Sequence, residues 1–133
     1  MKNLIIISAP SGTGKTTLCK GIRKKFPEIN WSISYTTRFR RPNEINGKDY
    51  NFISRNTFDE HIKNKKLAEW ENVYGSLYGT AKKTLNDAIK EKIFLLLELD
   101  VKGALKLKKL YPKNTISIFI IPPSFEDLKK RLK

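Results

Sequence analysis

The chain has 133 residues, 39% hydrophobic and 30% charged, a balance that fits one folded domain and excludes a disordered chain. No apolar run approaches the roughly 20 residues of a membrane span, and a lone cysteine, Cys19, excludes an intramolecular disulfide and points to a reducing, cytoplasmic setting. The net charge of +14 invites a polyanionic partner, but the lysines are scattered without interleaved aromatics, so they read as solvated helix faces and nucleic acid is disfavoured.

Residues 3 to 7 read as a strand buried on both faces, and the short apolar run reads as that strand rather than a signal peptide. A helix is expected to start near Gly14, with Leu18 and Ile22 on its apolar face, and to stop before Pro27. Trp31, Ile33 and Tyr35 alternate with polar residues, which predicts a half-buried strand. Thr57 with Glu60 resembles a capping box for a short helix over 58–65. Residues 81–92 suit a helix with Leu85, Ala88 and Ile89 inward. Ile93 to Leu97 reads as a second buried strand, followed by a helix with Leu107 and Leu110 inward. Ile116 to Ile121 reads as a third buried strand, broken by Pro122 and Pro123, and Ser124 caps a last helix. Strands alternating with helices imply right-handed crossovers and a three-layer α/β core.

Ala9 to Thr16 spells A-x-x-x-x-G-K-T between a buried strand and a helix, the context of a P-loop with Ala in place of the first Gly. Glycines let successive backbone N–H groups curl inward onto phosphate oxygens, and the helix N-terminus adds partial positive charge. Ala9, Pro10, Ser11, Gly12, Thr13, Gly14, Lys15, Thr16 and Thr17 are therefore the expected phosphate cradle for a nucleoside triphosphate. Lys15 reaches the β- and γ-phosphates, and the Thr16 hydroxyl ligates Mg²⁺. A GTPase is disfavoured, because no D-x-x-G occurs and Asn64-Lys65-Lys66-Leu67 has Leu where base reading needs Asp.

Residues 36–53 read TTRFRRPNEINGKDYNFI. Arg38 and Arg41 flank a polar turn, Tyr50 follows Asn46-Gly47, and Ser34 lies just upstream. Guanidinium forks and a phenol suit the oxygens of a phosphomonoester. A solvated basic loop is the plainer alternative.

Thr36-Thr37-Arg38, Arg41, Glu44, Gly47, Tyr50 and Phe52 resemble the guanylate kinase signature in type and spacing. The likeness continues through EWENVYGSLYGT, LLELDVKGA and IFIIPPSFEDLKKRL, and so covers essentially the whole chain. It implies a P-loop NTPase-type parallel sheet flanked by helices, with residues 1–33 and 81–133 as core and 34–80 as an inserted GMP-binding segment of the same domain. It also implies transfer of the γ-phosphoryl group of ATP to GMP, with dGMP a further possible acceptor, in the presence of Mg²⁺. By this resemblance Ser34, Arg38, Arg41 and Tyr50 form the GMP phosphate site, with Tyr78 a further contact. Glu69 reads guanine, Thr80 contacts its carbonyl oxygen, and Glu98 helps hold the base. Asp100 organises Mg²⁺. Lys15, Arg38, Arg41, Asp100 and Arg131 form the expected catalytic set.

Plainer readings stand beside these. Glu69 beside Trp70 also suits an exposed strand, Asp100 a helix cap, and Tyr78 sheet packing. His61 and Cys19 read as structural or surface residues. Arg40 stands where many members of the family have Pro, which is expected to loosen that turn. In the family the lid and its further arginines follow the LKKRL helix, so a chain lacking them is expected to bind GMP while catalysing weakly, or to act as a binding module.

Overall fold

The computed structural model describes residues 1–9 and 15–121. In chain order its elements are β1 (Leu4–Ser8), α1 (Lys15–Lys25), β2 (Asn30–Trp31), β3 (Tyr35–Thr36), β4 (Asn51–Phe52) and α2 (Arg55–Lys63). There follow β5 (Leu67–Val73), β6 (Ser76–Ala81), α3 (Lys82–Glu91), β7 (Leu95–Glu98), α4 (Val101–Leu110) and β8 (Thr115–Phe119). The chain divides into two compact units, Met1–Trp31 with Ala88–Lys133, and Ser32–Asp87.

The first unit is built on a parallel sheet of order β2-β7-β1-β8, flanked by helices. β1 is all aliphatic up to Ser8 and sits between two partners, so both of its faces are buried. Ile5 and Ile7 pack with Cys19 and Ile22 of α1 and with Leu96, while Leu4 and Ile6 fill the other face. The Asn3 side chain donates to the carbonyls of Ala88 and Ile93, 2.9 Å each, and so satisfies two backbone acceptors beside the start of β1. Gly103, Ala104 and Leu107 are the buried residues of α4, which Asp100 caps.

The second unit carries a mixed sheet of order β4-β3-β6-β5. β5 and β6 form a hairpin whose turn residues Tyr74 and Gly75 have φ of 50° and 87°. Positive φ at both central positions gives the turn whose twist matches its strands. Phe58 of α2 packs with Leu67 and Leu77, flanked by Tyr35, Ile53 and Ile62.

Several local expectations are corrected. The alternation from Trp31 to Tyr35 is not one strand: Asn30–Trp31 pairs with β7, whereas Tyr35–Thr36 pairs with β4 and β6. α2 begins at Arg55 rather than 58, because extended Ser54 is its N-cap and accepts from the Thr57 N–H at 3.1 Å. In α1 the inward residue is Cys19, and Leu18 is 42% exposed. In α4 Leu107 is buried but Leu110 is 55% exposed, in the last turn. β8 is an edge strand among the described residues, and Ile116, Ile118 and Phe119 are exposed rather than buried. The helix expected after Ser124 lies outside the described residues. α3 has Leu85 and Ala88 buried and Ile89 half-buried, as its periodicity predicts. No helix among the described residues is long and apolar enough to cross a membrane.

Two glycines separate packing from propensity. A Cβ on Gly79 would meet Leu67 Cδ1 at 2.9 Å and Phe58 Cζ at 3.0 Å, whereas one on Gly21 in α1 meets nothing within 4 Å. We expect G79A to destabilise the protein by about 1–3 kcal/mol through overpacking. G21A should stabilise it by about 0.5–1 kcal/mol through helix propensity. Urea melts of both variants check the opposite signs.

Candidate functional site

The parallel sheet places one cluster at the carboxyl end of its central strands, where open α/β sheets take ligands. The Ile7↔Glu98 register brings the end of β7 beside the end of β1. Lys15 opens α1 and its Nζ donates to the Leu99 carbonyl at 3.3 Å. The Thr16 hydroxyl donates to Glu98 Oε1 at 2.5 Å. Asp100 is the N-cap of α4, its Oδ1 accepting from the Gly103 N–H at 3.4 Å. So Glu98, not Asp100, is the acid that meets Thr16. Ala9 is buried just after β1, and Thr17 is exposed on α1. Pro10, Ser11, Gly12, Thr13, Gly14 and Arg131 lie outside the described residues.

Cys19 lies below this cluster. Burial pushes its thiol up to about 11, and the Glu98 carboxylate pushes the same way. The thiol stays neutral and inert at ordinary pH, which agrees with a structural reading.

The second unit holds two further groupings. Glu69 on β5 is 7% exposed and Thr80 on β6 1%, so the exposed-strand alternative for Glu69 falls. Their register pairs them directly, and Thr80 Oγ1 donates to Glu69 Oε1 at 3.2 Å. Tyr78 lies two residues before Thr80 and shares its face of β6.

Around Tyr78 the basic turn is ordered by Glu44. Arg38 Nη1 and Nη2 donate to Glu44 Oε1 and Oε2 at 2.9 and 2.8 Å, a bidentate fork with both side chains largely buried. Arg38 Nε donates to the Tyr78 hydroxyl at 3.2 Å. Its guanidinium lies 5.3 Å from the Tyr50 ring centre and 5.8 Å from that of Phe52. Tyr50 meets Tyr78 edge-to-face at 5.9 Å. Arg41 is exposed, and its backbone N–H donates to Glu44 Oε1 at 2.9 Å. Ser34 contributes its carbonyl, which accepts from the Asn51 N–H at 2.8 Å.

Arg40 does not simply loosen this turn. Its Nη1 donates to the carbonyls of Glu44 at 2.7 Å and Arg41 at 3.3 Å, and so supplies side-chain ties where a proline ring would restrict the backbone.

Glu44 belongs to the signature but was not among the expected site residues. Its position as the one acid in a run of arginines was the available signal. The Arg38 fork, aided by the Arg41 N–H, holds its carboxyl down at about 2, and the same fork raises Arg38 further above its ordinary value.

Comparisons with known proteins agree with one another. Residues 1–133 match the family model described as guanylate kinase. The chain belongs to the guanylate kinase family. It is 49% identical over 129 residues to a guanylate kinase of Geobacter metallireducens, covering 97% of this chain and 63% of that protein. It is 45% identical to one of Carboxydothermus hydrogenoformans, covering 98% of this chain and 63% of that protein. Among solved structures it resembles the guanylate kinase from Anaplasma phagocytophilum, with a TM-score of 0.78, 34% identity, and coverage of 97% of this chain and 64% of that one. The chain thus spans somewhat less than two thirds of the length of these family members.

The Glu44 shift carries a pH signature. A carboxyl depressed from 4.5 to about 2 by folding contributes stability that is complete above about 4.5 and is lost as pH falls through about 2. We expect E44Q to narrow the difference in stability between pH 5 and pH 2 relative to wild type, as read by thermal melts across that range.

Proposed function

We propose that this chain carries the donor and acceptor sites of a GMP kinase, which transfers the γ-phosphoryl group of ATP to GMP and yields ADP and GDP. A GMP phosphate oxygen attacks the γ-phosphorus, the bond from that phosphorus to the β–γ bridging oxygen breaks, and ADP leaves. Family membership supports the reaction class. The observation that carries the acceptor is the buried Glu69–Thr80 pair on the face it shares with Tyr78. A carboxylate accepts from both N1–H and the exocyclic amine of guanine, a donor pair that adenine lacks. Thr80 offers a hydroxyl for the guanine carbonyl oxygen, and Glu98 remains a candidate second contact to the base.

Phosphoryl transfer needs positioning and charge neutralisation more than covalent help. In this reading Ala9 through Thr17 cradle the ATP phosphates, with Lys15 on the β- and γ-phosphates. Arg41, Tyr50, Tyr78, Arg38 and Ser34 hold the GMP phosphate. That phosphate is already anionic, so no general base is needed. Arg131 supplies a further cation to the transferring group.

Among the described residues no group of three or more His, Cys, Asp or Glu forms a metal cage. The oxygen donors Thr16 and Glu98, with Asp100 close by in sequence, nevertheless suit Mg²⁺, which takes one or two protein oxygens together with nucleotide phosphates. When bound, the ion offsets charge on the phosphates being exchanged.

Two assays test this. Calorimetric titration of the chain should show GMP binding and much weaker AMP binding. E69Q should weaken GMP by about 10–100-fold, as loss of hydrogen bonds to a charged group implies. ADP formation from ATP and Mg²⁺ with GMP, AMP or no acceptor should be GMP-dependent, both for this chain and for a version as long as its relatives. Equal affinity for GMP and AMP would sink the guanine reading, and GMP binding without turnover in either version would leave a binding module.

A further inference from the structure

The geometry points to Glu44 as a positioning residue that, acting through Arg38, fixes the Tyr78 hydroxyl as a hydrogen-bond donor toward the acceptor phosphate. This rests on the GMP reading above and deepens it. An arginine read from sequence as a phosphate fork is here largely committed to protein. A guanidinium has five N–H groups. Nε goes to Tyr78, Nη1 to Glu44 and the Phe39 carbonyl, and Nη2 to Glu44. That leaves one Nη2–H for a ligand. Arg38 is a strut before it is a clamp.

The strut has a chemical consequence at its far end. The two bonds to Glu44 fix both the plane and the rotation of the guanidinium, which aims Nε at the Tyr78 oxygen. A phenol oxygen that accepts from Nε–H keeps its own proton for another partner. Tyr78 is thereby set to donate. The edge contact with Tyr50 restrains its ring from the side. The same Glu44 oxygen that receives Nη1 also receives the Arg41 backbone N–H, so one carboxylate ties the Arg38 side chain to the backbone at Arg41. The resulting site offers donors and positive charge. It suits a terminal group that only accepts, such as a phosphomonoester dianion, and suits a group with its own hydrogens poorly.

The test uses the full 133-residue chain as wild type, E44Q, Y78F and the double variant, titrated calorimetrically with GMP and with guanosine, which lacks the phosphate. We expect E44Q to weaken GMP by about tenfold, the order of one charge-assisted hydrogen bond. Guanosine affinity should be unchanged, and E44Q should cost clearly less on the Y78F background than on wild type, because much of its effect runs through Tyr78. A role in holding the fold alone would weaken both ligands. Wild-type GMP affinity in E44Q, or penalties that add in the double variant, overturns the proposal.

A second readout does not depend on GMP. The Arg38 Nε–H resonance should be protected from solvent exchange in the wild-type chain and lose that protection in E44Q and Y78F. If wild type binds neither ligand, the GMP reading fails and this resonance still decides the strut. Protection that survives in Y78F shows that Tyr78 does not hold Nε and overturns the proposal, even where E44Q fails to fold.

Discussion

A strand buried on both faces has only one place left for polar chemistry, and that is its end. β1 lies between β7 and β8, and its aliphatic side chains fill both sides of the sheet. The parallel register then sets Ser8, Ala9 and the start of α1 beside Glu98, Leu99 and Asp100. Lys15 and Thr16 meet that strand end by a backbone carbonyl and a carboxylate. These two contacts follow from the placement of β1. A change of register by one residue would exchange the faces of the strand and move Glu98 off the Thr16 hydroxyl.

The second unit solves a different problem. A chain with 27 basic and 13 acidic side chains has cations to spare and must stop them from roaming. Most of the described lysines are solvated, and exposed pairs such as Lys83–Asp87 contribute little to stability. Arg38 is instead enclosed by Glu44, Tyr50, Phe52 and Tyr78. Its order comes from one acid and three rings rather than from the local charge balance.

The elements that sequence disclosed were those with strong periodicity or a fixed motif. β1, β7, α3 and the start of α1 at Lys15 follow from aliphatic runs, from 3.6-residue spacing and from G-K-T after a strand. The misses have physical causes. The pattern at Trp31, Ile33 and Tyr35 satisfies a pleat without saying that the chain changes sheets between them. Ser54 and Thr57 are both capping residues, and only backbone geometry shows which one caps. Leu110 and the outward residues of β8 are apolar, and hydropathy alone gives no sign that they stay exposed. At the site, residue type and spacing pointed to Arg38, and the family resemblance to Tyr78, Glu69 and Thr80, but neither says how they are joined. Hydrogen-bond direction is a tertiary property, so the role of Glu44 appears only once Arg38 is seen to spend its fork on it.

Three acids near the proposed ligand positions are held in two ways, and the difference bears on which of them can turn to a substrate. Glu98 and Glu69 each accept from a threonine hydroxyl. A hydroxyl bond to a carboxylate has one ionic partner and is worth about 1.5–3 kcal/mol net, but the hydroxyl can rotate, so a ligand donor or a cation that restores the charge interaction can take its place. Glu44 instead accepts a charged fork and a backbone N–H. Breaking a charge-assisted bidentate pair with little solvent access leaves two ions poorly compensated, which costs far more. The exchangeable acids are therefore those for which the guanine and metal-bound phosphate roles are proposed above. The fixed acid suits only the protein itself, and its value to function lies in what it denies Arg38: the freedom to point anywhere else.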